Sequence, residues 1–291
     1  MYPSRFNYES PKTIEEAIAL LTKGNGEAKI LAGGMSLIPM MKLRFASPEM
    51  LVDINNIPEL NYHRADADGT FHIGALCRHS DLEKSSILAQ HQPTLAATAP
   101  LVADPIVRNR GTFVGSVCHA DPQGDWASAM IALDGMIVAQ GPKGRRTIAV
   151  RDFVTGPFQN VLASNEIAIE AIIPATKGIR FGGYLKLERR IGDFATAGVA
   201  VALELSGANV IRAGIGLTGV GSSTVNATDA AQSLVGSPLT SEAIERAADL
   251  AAQAAQPRSD HRGSAAYKKQ VVRTFVVRIL TEINSTKTKA A

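Results

Sequence analysis

Leu31-Ala32-Gly33-Gly34-Met35-Ser36-Leu37-Ile38-Pro39-Met40-Met41-Lys42 is the stretch on which the reading of this fold turns. It follows Lys29-Ile30, so an apolar run with strand character passes through a glycine pair into a segment with helical potential. Glycine has no Cβ and tolerates positive φ, which lets backbone N–H groups approach an anion closely. A strand, a tight turn and a helix start in succession form a setting in which phosphate is cradled. Far downstream, Arg110-Gly111-Thr112-Phe113-Val114-Gly115-Ser116 offers the same chemistry, small residues with hydroxyls. Neither stretch is a GxGxxG fingerprint and no GxxxxGK[ST] occurs. Taken singly, each is more readily read as an ordinary turn, since glycine chiefly punctuates chains.

The rest of the chain bounds what such loops can serve. With 291 residues it is long enough for two or three subdomains, and 45% hydrophobic with 20% charged residues is ordinary for a globular protein. The net charge of +3 is interspersed, and Arg108-Asn109-Arg110, Arg145-Arg146 and Arg189-Arg190 read as short solvated clusters, so no nucleic-acid groove is expected. No run approaches the ~18 apolar residues of a membrane span. Met1-Tyr2-Pro3-Ser4-Arg5-Phe6 lacks the apolar stretch of a signal peptide, and a cytoplasmic location is expected. Two cysteines, Cys77 and Cys118, fall short of the four thiolates of an iron–sulfur cluster and read as small buried thiols. The six histidines make no HxH or HExxH pattern, so no metal site is expected.

Periodicity gives an α+β chain. Thr13 and Glu16 form a capping box ahead of a helix carrying Ile14, Ala17, Ile18 and Leu21, which Gly24-Asn25-Gly26 ends. Residues 30–32 and 50–54 read as strands and complete a first unit, 1–56. A second unit, 57–176, has strands at 70–75, 135–140, 147–150 and 166–173. Its helices are a second capping box at Ser80–Glu83, a segment at 94–103 that Pro100 should kink or end early, and 126–133 with Asp125 at its start. A third, 177–291, opens on strands at 199–205 and 210–217. Helices follow at 229–234, 241–255 and 265–283, then a polar, frayed tail from Asn284 to Ala291.

The two glycine stretches, with Ala120-Asp121-Pro122-Gln123-Gly124-Asp125, Lys186-Leu187-Glu188-Arg189-Arg190-Ile191-Gly192-Asp193-Phe194 and Ser259-Asp260-His261-Arg262-Gly263, resemble in order the motifs of one family. That family is the FAD-binding medium subunits of molybdenum-containing hydroxylases, the flavoproteins of aerobic carbon monoxide dehydrogenases and xanthine dehydrogenases among them. The resemblance implies a two-subdomain FAD-binding fold of the vanillyl-alcohol-oxidase (PCMH) type. To this it adds a C-terminal α+β domain with a small antiparallel sheet and helices. It implies that FAD is held non-covalently, its pyrophosphate between Leu31, Ala32, Gly33, Gly34, Met35 and Ser36 on one side and Thr112, Phe113, Val114, Gly115 and Ser116 on the other, with Val102 nearby. Asp125 would accept hydrogen bonds from the cofactor's hydroxylated part, or cap the helix before Trp126. Phe194 would cover one face of the flavin ring, or pack in a core strand. Lys186 would stabilise the reduced flavin's edge, or lie on the surface.

Two departures stand out. Val114 occupies a position where the family commonly has glycine, which predicts a slightly shifted or weaker clamp, and Met35 stands where the carbon monoxide dehydrogenases carry histidine. The implied partners are a small iron–sulfur subunit with two [2Fe-2S] clusters and a large subunit with molybdopterin cytosine dinucleotide, as a dimer of heterotrimers. A stand-alone flavin oxidase and a redox-inactive nucleotide-binding scaffold are the rival readings.

Overall fold

The computed structural model describes residues 2–290. β1 (Asn7–Glu9), α1 (Ile14–Lys23), β2 (Ala28–Leu31), α2 (Leu37–Lys42) and β3 (Met50–Asp53) come first in the chain. β3 lies between β1 and β2, parallel to both, with Asn7 and Ala28 opposite Met50. Parallel neighbours need crossovers, and the stretches holding α1 and α2 supply them. Thr13 Oγ1 accepts from the Glu16 amide at 3.1 Å, while the Glu16 carboxylate returns to the Lys12 amide at 2.8 Å. The helix that follows buries Ile14, Ala17, Ile18 and Leu21, the predicted apolar face.

The next stretch runs β4 (His63–Ala65), β5 (Phe71–Gly74), α3 (His79–Glu83), α4 (Ser86–His91), α5 (Pro93–Thr98), α6 (Pro105–Arg108), α7 (Phe113–His119), α8 (Asp125–Ala132), β6 (Met136–Gly141), β7 (Gly144–Ala149) and α9 (Val150–Phe153). A short ribbon of β8 (Val154–Gly156) and β9 (Gln159–Asn160) precedes β10 (Ile167–Ile173). These strands form an antiparallel sheet in the order β4-β5-β10-β6-β7. Every residue of α8 is buried, with Trp126 at the heart of the core. Aliphatic residues of the first two sheets belong to the same hydrophobic core.

The last sheet is antiparallel, β11 (Ile179–Leu187), β12 (Ala197–Ser206), β13 (Asn209–Thr218) and β14 (Val225–Asn226) in that order, followed by α10 (Thr228–Gln232), α11 (Ser241–Ala254) and α12 (Ala265–Ala290). β12 is covered on both faces: Val199, Val201 and Leu203 pack with α11 and α12, while Ala200 and Ala202 join the first core. That is why it reads as a continuous apolar run rather than an alternating one.

Four expectations change. The capping box at Ser80–Glu83 is not formed. α3 starts at His79 with Arg78 before it, Asp81 accepts from the Arg78 amide at 3.1 Å, and Glu83 instead binds Arg108 at 2.8 Å. Arg108 is correspondingly buried rather than solvated. β11 and its lead role in the third sheet escaped the sequence. The polar tail is helical through Ala290, with the Lys287 ammonium on the Ala208 carbonyl at 2.7 Å, and Ala291 lies outside the described residues.

Candidate functional site

The first glycine loop leaves the end of β2, and the second leads into α7. Segment 77–79 pairs with the second: Phe113 N donates to the Cys77 carbonyl at 3.1 Å and His79 N to the Gly111 carbonyl at 3.0 Å. The two loops touch at Gly33. A Cβ there would strike the Arg110 carbonyl and lie 2.7 Å from Gly111 Cα, so only glycine allows this approach. Gly34 takes the left-handed region, φ +74°. Among the described residues, the N–H groups of Gly33, Gly34, Met35, Ser36 and Leu37 find no acceptor. They form a row of backbone donors at the loop, the arrangement that suits an anion.

A clasp that the sequence did not reveal holds the loops in register. The Arg78 guanidinium donates to the Arg110 carbonyl of the second loop and to Asn55 Oδ1. Asn55 Nδ2 donates to the Ala32 carbonyl of the first loop at 2.8 Å. Asn55 is fixed in turn by Asp53, whose Oδ1 accepts from its amide at 2.9 Å. Nothing in local periodicity marks Arg78 or Asn55, because each finds its partner across more than twenty residues of chain.

Around this junction lies a cavity of about 620 Å³. Leu31 to Ser36, Val102, Thr112, Val114, Gly115, Ser116, Asp125 and Phe194 all line it. Of the expected site residues, Phe113 and Lys186 do not. Phe113 turns inward and packs on the Trp126 indole, ring centroids 4.6 Å apart. The Lys186 ammonium is neither at the surface nor in the cavity; its side chain is 1% exposed behind the wall. It donates to the Leu101 carbonyl and, at 3.1 Å, to that of Asp193, and it pairs with Glu188 at 3.0 Å and Asp125 at 3.4 Å.

Gly124, not Asp125, is the cap of α8. The Asp125 carboxylate, on the first helical residue, accepts from Tyr184 Oη at 2.6 Å. Burial pushes it up to about 6, against the pull of Lys186 and the Tyr184 hydroxyl. Phe194 is not in a strand: it stands 53% exposed on the cavity rim, in the loop between β11 and β12. Val114 is buried on the first turn of α7, where Thr112 Oγ1 caps the Gly115 amide at 3.2 Å.

Residues 4–176 match the family described as the FAD binding domain in molybdopterin dehydrogenase, and residues 183–283 match the CO dehydrogenase flavoprotein C-terminal domain. The chain belongs to the FAD-binding medium subunits of molybdenum hydroxylases. It is 43% identical over 280 residues to the carbon monoxide dehydrogenase medium chain of Hydrogenophaga pseudoflava, covering 96% of this chain and 97% of that one. It is 37% identical to the 6-hydroxypseudooxynicotine dehydrogenase complex subunit alpha of Paenarthrobacter nicotinovorans, over 97% of this chain and 95% of the relative. A solved carbon monoxide dehydrogenase from H. pseudoflava, lacking the Mo-pyranopterin moiety of its molybdenum cofactor, contains a chain that superposes with a TM-score of 0.92 at 44% identity, covering 97% of this chain and 98% of that one. This medium subunit is therefore an oxidoreductase component whose own cofactor is FAD. Among the described residues no cluster of three or more His, Cys, Asp or Glu is arranged to hold a metal ion, and no helix is long and apolar enough to cross a membrane.

Proposed function

We propose that this chain is the electron-transfer subunit of a three-component molybdenum hydroxylase, and that the cavity at the loop junction is where it holds FAD. One observation carries the reading: a glycine loop that leaves β2 and a second that runs between α6 and α7 meet where a Cβ would strike backbone, with free amide donors at their junction. The residues present fit the cofactor. The cavity lies within the ~300–1,000 Å³ of ordinary ligand sites. Amide donors and the Ser36 and Thr112 hydroxyls suit a pyrophosphate, and Val102 and Phe194 supply apolar surface for a flat ring.

On this reading Leu31–Ser36 and Thr112–Ser116 hold the pyrophosphate, Asp125 accepts from a cofactor hydroxyl, and Phe194 covers the ring from the rim. Phe113 and Lys186 act from behind, the first by bracing Trp126 and the second by fixing Asp125. Units 1–56 and 57–176 supply one loop each, and 177–291 closes the cavity with the loop that bears Phe194. When bound, FAD supplies one- and two-electron chemistry between iron–sulfur clusters and an external acceptor. The [2Fe-2S] clusters belong to a small subunit and molybdopterin cytosine dinucleotide to a large one, in a cytoplasmic heterohexamer.

The test is assembly. Alone, the purified chain should carry near-stoichiometric FAD, released on denaturation, and oxidise no aldehyde, N-heterocycle or carbon monoxide. Combined with its small and large subunits, it should couple substrate oxidation to dye reduction. Substrate turnover by the chain alone would overturn the reading in favour of a stand-alone oxidase.

A further inference from the structure

His79 opens α3 beside the second glycine loop and is 4% exposed, yet it has no part in the motifs that brought the site to notice. Its Nδ1 lies 3.0 Å from Trp126 Nε1. An indole nitrogen only donates, so Nδ1 must be the acceptor and carry no proton. The imidazole is then neutral, with its one hydrogen on Nε2. A cationic ring would set two N–H groups against each other at this contact. Burial, reinforced by the Arg108 and Arg78 charges, pushes the group down to about 4, in keeping with that geometry.

Nε2 sits against the second loop, where a Cβ on Gly111 would come within 2.7 Å of it. Among the described residues Nε2 has no hydrogen-bond partner, although His79 is one of the residues lining the cavity. Trp126 is held in turn by Phe113 from within the loop, and the His79 amide donates to the Gly111 carbonyl at 3.0 Å. Side chain and backbone of His79 are thus both registered on the loop. A donor at the cavity wall with no protein acceptor is available to a ligand atom that can accept from it. The ligand atom that suits a neutral N–H beside a glycine loop is an anionic oxygen.

We propose that His79 is a positioning residue that donates from Nε2 to a pyrophosphate oxygen of FAD, with Trp126 selecting the tautomer that makes this possible. The assignment rests on the FAD reading of the cavity. It adds to the glycine loops a side-chain donor whose direction is set by the only tryptophan of the sequence.

The experiment titrates FAD into the full chain, freed of flavin, by fluorescence quenching, and records ³¹P spectra of the bound pyrophosphate. His79→Leu should bind FAD about tenfold more weakly and move a pyrophosphate resonance, the loss expected for one hydrogen bond to a charged group. His79→Gln should return to within about threefold of the unsubstituted chain, because its amide oxygen accepts from the indole while its nitrogen donates. In the unsubstituted chain, ¹⁵N spectra should show the His79 proton on Nε2, a readout that needs no variant to fold. A wild-type affinity and ³¹P spectrum in His79→Leu, a Gln variant as weak as the Leu variant, or a proton on Nδ1 would overturn the assignment and leave the FAD reading intact. A wild-type chain that takes up no FAD would overturn both.

Discussion

Gly33 shows how much one missing methyl decides. Its neighbour across the junction is backbone, not a side chain able to swing aside. Gly33→Ala should therefore push the two loops apart and weaken FAD binding at least tenfold, and Gly33→Val should abolish flavin absorbance in the purified chain. Equilibrium dialysis against FAD measures the first, a visible spectrum the second. Stoichiometric flavin in Gly33→Val would show that the loops do not form the clamp. Two buried titrating groups beside the same cavity lean in opposite directions. Asp125, at about 6 against an ordinary value of 3.8, stabilises the flavin-free fold fully below about pH 4 and less as pH rises through 6. His79, at about 4 against 6.5, stabilises it above 6.5 and less as pH falls towards 4. The two slopes offset each other in mildly acid solution. Asp125→Asn should unmask the histidine limb, so that stability falls by roughly 2 kcal/mol from pH 6.5 to 4.5, at ~1.4 kcal/mol per pH unit. Urea midpoints at those two pH values check it, and a flat profile in the variant would contradict the assignment.

At the scale of elements, legibility followed how local the cause was. α1 was readable because Thr13 and Glu16 lie within one turn and its apolar face repeats every three or four residues. β11 was not, because Gly182-Gly183 interrupts its pattern. The reason is tertiary: α5 packs against one side, leaving no room beside Thr94, and α12 against the other, where a Cβ on Gly183 would lie 2.9 Å from Ile279. Similarly, the glycine loops could be picked out from sequence, while Arg78, Asn55 and His79 could not, since their roles exist only once distant segments meet. The C-terminal helix offers a graded test. Ending the chain after Asn284 removes the Lys287 tie to Ala208, an exposed contact worth at most ~1 kcal/mol. Ending it after Val277 also removes Ile279, Leu280 and Ile283, all buried, at ~1.5–3 kcal/mol each. Thermal unfolding should show a shift of a few degrees for the first and loss of the cooperative transition for the second. Equal behaviour would mean that α12 does not carry the core of the third sheet.

Over the whole molecule, the cavity collects contributions from all three units: Leu31 ends β2, Ile167 and Ala168 belong to β10, and Phe194 comes from the loop after β11. No single unit makes a wall complete. On the proposed reading, FAD bound there grips the folded arrangement alone, and free flavin at a hundred times its dissociation constant would add ~2.7 kcal/mol to stability. For a cell this turns vitamin supply into a control on protein abundance. Chains made while riboflavin is scarce would open more often and be degraded sooner, and on the proposed assembly would leave the other subunits unmatched.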